Sequence, residues 1–561
     1  MLKPCLIAGL LCAALAVIPA WAEEEAQDQG PSVTLPIEPQ SPASSSVTPD
    51  APSVHAIDPA SPPSEPPIAE TPPEPAGPHP VVELIKTKLA DAGLRKDANA
   101  ADLAALDEFY RTRTGGPLWM TEMGFSSKGQ EVVSEIEQAD DWGLDKSAFE
   151  LPQPDALPKT PEAQADAEIK LDLAILTYAR HARGGRYTPS EISVLFDQVA
   201  QLRDPKIVLA EIAVAEEPDA YLRSLHPQHE GFARLQKALV EARKGDAENS
   251  GDAESKEGEA DSKEKPDEAA IRRIVLNMER WRWLPEDLGE MYVWLNTPEY
   301  MLYLVKDGKT IFTDKTLVGT ISNATPVFSA DMGSVVFNPE WIAPRSVLRE
   351  TLLPPLRNKN YDFLKKHRFS VRYGGKPVNV AKVKWNSQNI HNYTFIQRPG
   401  PGNNLGKVKF LYPNKHDVYM HDTIPVRKKV FEKSARSIGY GCVRMEKPQD
   451  FAEILLDEDQ DLPKTRVKEL WDKSVNAPVE IKSTIPVHTT YFTTVVDDEG
   501  KVETFVDLYG LDRKMATVMY DSTDGFPPPP PEVKQRRATG TTAGVSRPSG
   551  GVADTLGGLL D

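Results

Sequence analysis

The sequence predicts an α+β chain in which an α-helical domain precedes a larger, mostly β domain, with structureless segments at both ends. Three observations carry that prediction. Helical apolar periodicity starts at Val81 and recurs between Glu168 and Arg183, and short β-rich runs separated by turn residues follow Ala269. Proline is concentrated outside both: of 50 prolines in 561 residues, 16 lie between Pro31 and Pro80. A segment of that composition without Phe, Tyr or Trp buries too little apolar area to offset its chain entropy.

Each element follows in order. Residues 1–22 read as a secretory signal peptide, with one Lys, an apolar run from Cys5 to Ile18 and a small-x-small ending at Ala20-Trp21-Ala22. The run is shorter than the roughly 20 apolar residues a membrane span needs, so no integral span is expected after cleavage. Leu11 is too large to precede a lipidated Cys12. Cleavage removes Cys5 and Cys12 and leaves Cys442 the one thiol. Residues 23–80 form a Pro-rich tether expected to be disordered. Residues 81–244 form the α-helical domain, in which Ile169, Leu171, Leu173, Ala174, Ile175 and Tyr178 supply a broad apolar face. Residues 245–268 hold ten acidic residues and three Lys, a local charge of 3 minus 10, or −7, and read as a solvated linker. Residues 269–520 form the mostly β domain, with strands expected at 291–295, 300–305, 310–318, 333–337, 408–412 and 417–421. Runs at 489–496 and 502–507 flank Asp497-Asp498-Glu499-Gly500, a hairpin signal. Residues 525–561 open on consecutive prolines and are expected to be a disordered tail.

Charge and motif content exclude several functions. With 65 Lys+Arg against 83 Asp+Glu the formal net charge is −18, so the basic surface on which nucleic-acid affinity rests is missing. Gly400 and Gly402 lack the following helix that a phosphate loop needs. His226 and His229 have no Cys or clustered carboxylate beside them, so no metal is expected, and no cofactor. Trp281 and Trp283 are expected to pack parts of the domains together.

The chemistry concentrates around Cys442, in Ser437-Ile438-Gly439-Tyr440-Gly441-Cys442-Val443-Arg444, downstream of Tyr419-Met420-His421-Asp422. A free thiol has a pKa of about 8.5, so a nucleophilic cysteine needs a base, and His421 can supply one. The glycines flanking Tyr440 let backbone approach a substrate closely, and their successive amides can hold an oxyanion. Arg444, two residues on and on the same side of an extended chain, can grip a carboxylate with its planar fork. Asp422 or a backbone carbonyl can hold the imidazole. A buried structural cysteine near an unrelated histidine would show the same spacing.

The stretch PGPGNNLGKVKFLYPNKHDVYMHDT followed by GYGCVR resembles the catalytic domain of the YkuD-type L,D-transpeptidases, and within them the large periplasmic YcbB-like branch. NMERWRWLP, TPVFSADMGSVVFNPEWIAPRSV and TTYFTTVVDDEGKVETFVDLYGLD extend the resemblance over Ile271 to Asp512. FYRTRTGGPLW and the DWGLD around Trp142 are similar to that branch's scaffold domain. The resemblance implies Cys442 as nucleophile and His421 as general base, Tyr419 and Trp341 as aromatic positions at the site's edge, and Gly441 in the nucleophile motif. Gly439-Tyr440 stand where the family commonly has Ser-His or Ser-Ser. An insertion at about 352–392, rich in Lys and Arg, would cap the site and suit an anionic stem. The implied function is periplasmic formation of 3-3 peptidoglycan cross-links through a cysteine thioester. The partners are peptidoglycan stem peptides, with water, a free D-amino acid or an outer-membrane protein as other acceptors. Alternatives are an L,D-carboxypeptidase and a non-catalytic wall-binding protein on the same fold, with Tyr440 blocking the pocket.

Overall fold

Capping side chains and prolines set where the helices of the first domain begin. The computed structural model describes residues 79–91, 98–153, 160–250 and 267–531, so the signal peptide, nearly all of the tether and most of the tail lie outside the described residues. Helix α1 (Pro80–Leu89) starts on a proline, and in α2 (Ala100–Thr112) Asn99 caps the N–H groups of Ala101 and Asp102. Ser126 caps α3 (Ser127–Glu137), and Thr160 followed by Pro161 starts the long α4 (Pro161–Gly184). Asp204 starts α5 (Pro205–Val214), followed by α6 (Pro218–Ser224) and α7 (Glu230–Ser250). Leu171, Ile175 and Tyr178 of α4 are fully buried in one core with Ile85, Leu106 and Ile136. The expected linker therefore begins as helix, and residues 251–266 lie outside the described residues.

Two carboxylates are buried inside this helical core. Glu168 accepts from the N–H groups of Leu118, Trp119 and Met120, Asp172 accepts from Trp119 Nε1 at 2.7 Å, and the Tyr110 hydroxyl bonds to both. They tie the Leu118–Met120 turn to α4. With no ion-paired cation among the described residues, burial pushes Asp172 up to about 7, and burial together with the Asp172 charge pushes Glu168 up to about 8.

The second domain is built on one long sheet with α8 (Glu268–Trp281) packed beside it. Its strands are β1 (Met291–Asn296), β2 (Met301–Lys306), β3 (Lys309–Gly319), β4 (Phe328–Asp331), β5 (Ser334–Phe337), β6 (Val408–Leu411), β7 (Met420–His421), β8 (Ser437–Gly439), β9 (Val443–Met445), β10 (Ala477–Glu480) and β11 (Pro486–Thr490). Their order is β10-β5-β6-β7-β9-β3-β2-β1-β11-β4, with β8 pairing alongside the end of β3. Asp307 and Gly308, both at positive φ, make the tight turn from β2 to β3. The buried ion pair Arg280–Asp512, 2.6 Å, ties α8 to the C-terminal helix Leu511–Tyr520.

Several boundaries differ from expectation, and the strand expected at 417–421 is confined to Met420–His421. The run 489–496 is two strands, because Phe492 N and Thr493 N donate to the side chains of Asn296 and Asn277 instead of to a ladder; Thr494–Val496 then pairs with Val502–Thr504 as the expected hairpin. The capping layer has its own core, running from Trp341 to Leu405, wider than 352–392. It reaches that far because Trp341–Ile342 forms an edge of its small sheet, paired with Gln397 and Ile396. At the C-terminus Phe526 is buried at 3% exposure, and its carbonyl accepts from Arg513 Nη1, so packed structure continues past the expected start of the tail.

Candidate active site

β7 and β9 lie side by side and parallel, with Met420 opposite Val443 and His421 opposite Arg444. Val443 N donates to Tyr419 O at 3.1 Å, so Tyr419 stands opposite Cys442. Residues two apart on a strand share a face, which gathers Tyr419, His421, Cys442 and Arg444 into one patch. The rings of Tyr419 and His421 are 5.8 Å apart. Thus four of the seven residues expected at the site are brought together by the register of two short strands. Gly441 immediately precedes the cysteine. Tyr440 is half-buried within electrostatic reach of Arg444 and of Glu350 from the cap, and burial raises its hydroxyl. Trp341 lies in the cap's own core, its ring against Phe369.

Hydrogen bonds fix the tautomer of His421. Its Nδ1 contacts the Asp422 carbonyl, which can only accept, so Nδ1 carries the proton and Nε2 the lone pair. The Asp422 carboxylate is occupied elsewhere, accepting from Lys407 N at 2.9 Å. Burial, with help from the nearby Arg444 charge, pushes the imidazole well below its usual range, so it is neutral at neutral pH. Burial also pushes the Cys442 thiol up, while hydrogen bonding from Tyr419 and the Arg444 charge pull the other way. The resting pair is therefore thiol and imidazole, not thiolate and imidazolium. Cys442 Sγ is half-buried and bonds to the Asp417 carbonyl at 3.7 Å.

Arg444 is 8% exposed, and its Nε and Nη1 have no hydrogen-bond partner among the described residues. A buried guanidinium without a partner is costly, and a ligand anion would satisfy it. The backbone around the nucleophile is held by residues that the sequence did not single out. Thr325 Oγ1 accepts from Gly319 N and donates to Gly441 O, both at 2.9 Å. Tyr509 OH accepts from Thr325 N at 3.2 Å and donates to Gly319 O at 2.8 Å. Gly441 sits at φ +95°, a conformation that side chains oppose, and a Cβ on Gly319 would lie 2.0 Å from Asn323 O. The sequence signals were that Thr325 opens one of the motif blocks and that Tyr509 lies in another.

Residues 290–481 match the L,D-transpeptidase catalytic domain family, YkuD, and residues 104–239 match the scaffold domain family. The chain carries a YkuD-type L,D-transpeptidase catalytic domain. A Haemophilus influenzae protein assigned as an L,D-transpeptidase is 31% identical over 246 residues, 44% of this chain and 49% of that relative. The chain thus spans about half the length of the curated relative it matches. Among solved structures, an L,D-transpeptidase from Mycobacterium smegmatis is 10% identical with a TM-score of 0.18, covering 36% of this chain and 58% of that one. The Ldtfm-avibactam carbamoyl enzyme is 12% identical with a TM-score of 0.15, covering 36% and 50%. Within the transpeptidase domain all four residues of the patch fall inside the matched range, and so does Thr325. His226 is a core residue of the helical domain, stacked on Trp142 at 4.5 Å and hydrogen-bonded to Tyr178, and Trp281 and Trp283 pack against Trp294 and Phe196. Among the described residues no helix is long and apolar enough to cross a membrane.

Proposed function

We propose that the protein is an exported L,D-transpeptidase that joins peptidoglycan stems through a thioester on Cys442. His421 Nε2 takes the thiol proton as Sγ attacks the carbonyl of the third residue of a tetrapeptide donor. The C–N bond to the terminal D-Ala breaks, and the same proton leaves on the departing amine. An amine of a neighbouring stem then attacks the thioester, His421 Nε2 takes its proton and passes it to Sγ as the C–S bond breaks, and a 3-3 cross-link results. Amides of the Tyr440–Cys442 turn would hold the developing oxyanion. The observation that carries this reading is the shared face of β7 and β9, which sets together a neutral base, a thiol and a buried guanidinium whose Nε and Nη1 have no partner among the described residues. A substrate carboxylate is the group that such a guanidinium lacks.

Residues 1–22 support export to the periplasm, which N-terminal sequencing of the mature protein checks: a start at Glu23 is expected, and an intact Met1 contradicts it. The chemistry is tested by incubating the protein with a disaccharide tetrapeptide. Release of D-Ala with a cross-linked product, lost in Cys442→Ala, is expected. Release with only tripeptide formed would mark water as the acceptor, and no release would leave the wall-binding reading.

A further inference from the structure

The catalytic steps above use nothing from the helical scaffold domain, yet one of its loops grips both segments that support the nucleophile. The loop joins α4 to α5. Leu195 O accepts from Val327 N and Asp197 N donates to Val327 O, both at 2.8 Å. The Asp197 side chain reaches in another direction: Oδ2 meets His416 Nε2 at 2.8 Å, and Oδ1 pairs with Lys415 Nζ. Asp197 and His416 are 25% and 20% exposed at their side chains, so this contact is better shielded than an ordinary surface pair.

Both gripped segments lead directly to Cys442. Two residues before Val327 is Thr325, whose hydroxyl donates to Gly441 O. Directly after His416 is Asp417, held at φ +55°, whose carbonyl takes the bond from Cys442 Sγ. Asn414 Oδ1 accepts from His416 N and Val418 N, at 3.0 and 3.2 Å, and braces the same turn from inside. The His416 ring rests on Phe328, 5.2 Å between centroids.

We propose that Asp197 is a positioning residue for Cys442: by holding the 415–417 turn from the scaffold domain, it fixes the Asp417 carbonyl against the sulfur and so sets the direction from which the thiol meets its substrate. The scaffold then takes part in catalysis through this contact. The proposal rests on Cys442 being the nucleophile, but it is read on the thiol itself, so it can fail separately from the transpeptidase reading.

The test uses the full mature chain with Asp197→Ala, His416→Ala and the double variant, each checked for folding by its melting temperature. Two readouts are taken: the rate of Cys442 alkylation by iodoacetamide from pH 6 to 10, and kcat and KM for the tetrapeptide donor. Misplacing a reacting atom mainly lowers kcat, and a loss of about tenfold with KM within about twofold is expected. The alkylation profile should move along the pH axis, because the Asp417 carbonyl is no longer held at the sulfur. The double variant should be no worse than either single one, as expected of two residues acting through one contact. Asp197→Asn, which keeps an acceptor facing His416, should recover most of the loss. A folded Asp197→Ala protein with the wild-type alkylation profile overturns the proposal, as do single effects that simply add. If Asp197→Ala does not fold, His416→Ala decides from the other side of the contact. If no donor is turned over at all, the transpeptidase reading falls, and the alkylation profile alone decides this one.

Discussion

At the scale of single residues, the electrostatics of Cys442 and His421 set the pH behaviour. Burial moves the two groups in opposite directions, the thiol up and the imidazole down, which widens the gap that a preformed thiolate-imidazolium pair would have to bridge. The thiol should therefore alkylate with iodoacetamide along a profile rising through pH values above the roughly 8.5 of a free cysteine. A plateau already reached below pH 7 would contradict the neutral resting pair. Arg444 carries a second prediction. Loss of one charge-assisted contact at a buried site costs about 1.5 to 3 kcal/mol, or roughly 10- to 150-fold in kcat/KM. Arg444→Lys should lose activity in that range while its melting temperature holds, because among the described residues no carboxylate pairs with the guanidinium. A folded Arg444→Lys protein with full turnover would remove this residue from the site. Arg444 was legible in the sequence because strand alternation puts residues two apart on one face, Cys442 and His421 because a lone thiol needs a base, and Tyr419 through the family resemblance. Thr325 was not, since its hydroxyl acts on Gly441 across 116 positions of chain and nothing local in the sequence encodes that contact.

At the scale of elements, the site depends on how two very short strands are held. β7 and β9 are two and three residues long, and their register is imposed by β6 on one side and β3 on the other. Strands β1, β2, β3, β5, β6 and β7 of the long sheet were readable from β-rich runs, whereas the short β4, β8, β9 and β10 were not, and neither was the break between β11 and Thr494–Val496. There two asparagine side chains from distant elements replace the ladder partners, a substitution that no periodicity signals. Phe526 shows the same limit at the chain's end: a lone aromatic beside five prolines reads as tail, yet it fills a pocket against the C-terminal helix core. Phe526→Ala should destabilise the protein by about 3 to 5 kcal/mol in urea unfolding, the range for emptying a buried aromatic site. An unchanged midpoint would show that this packing contributes nothing.

At the scale of the whole molecule, the helical domain contributes a pH response as well as a contact. Glu168 and Asp172 have pKa values near 8 and 7 in the folded protein, above the roughly 4.3 and 3.9 expected unfolded. Groups raised on folding stabilise fully below the unfolded value, and that contribution is lost as pH rises through the folded one. The melting temperature should therefore fall between pH 6 and pH 8.5, with a shallower fall in Asp172→Asn. A melting temperature that rises over this range would contradict the assignment. The two-domain order was visible in composition alone, because the proline-rich, helical, acidic and β-rich stretches succeed one another along the chain. The way the domains touch was not, since the Asp197 contact joins residues 218 and 219 positions apart. All of this converges on the claim that Cys442 carries the acyl group. Intact-mass measurement of the protein quenched during reaction with a disaccharide tetrapeptide tests it most directly. A covalent adduct equal to the donor minus D-Ala, mapped to Cys442 and absent from Cys442→Ser, is the predicted result; donor turnover with no adduct on Cys442, or an adduct on another residue, would contradict it.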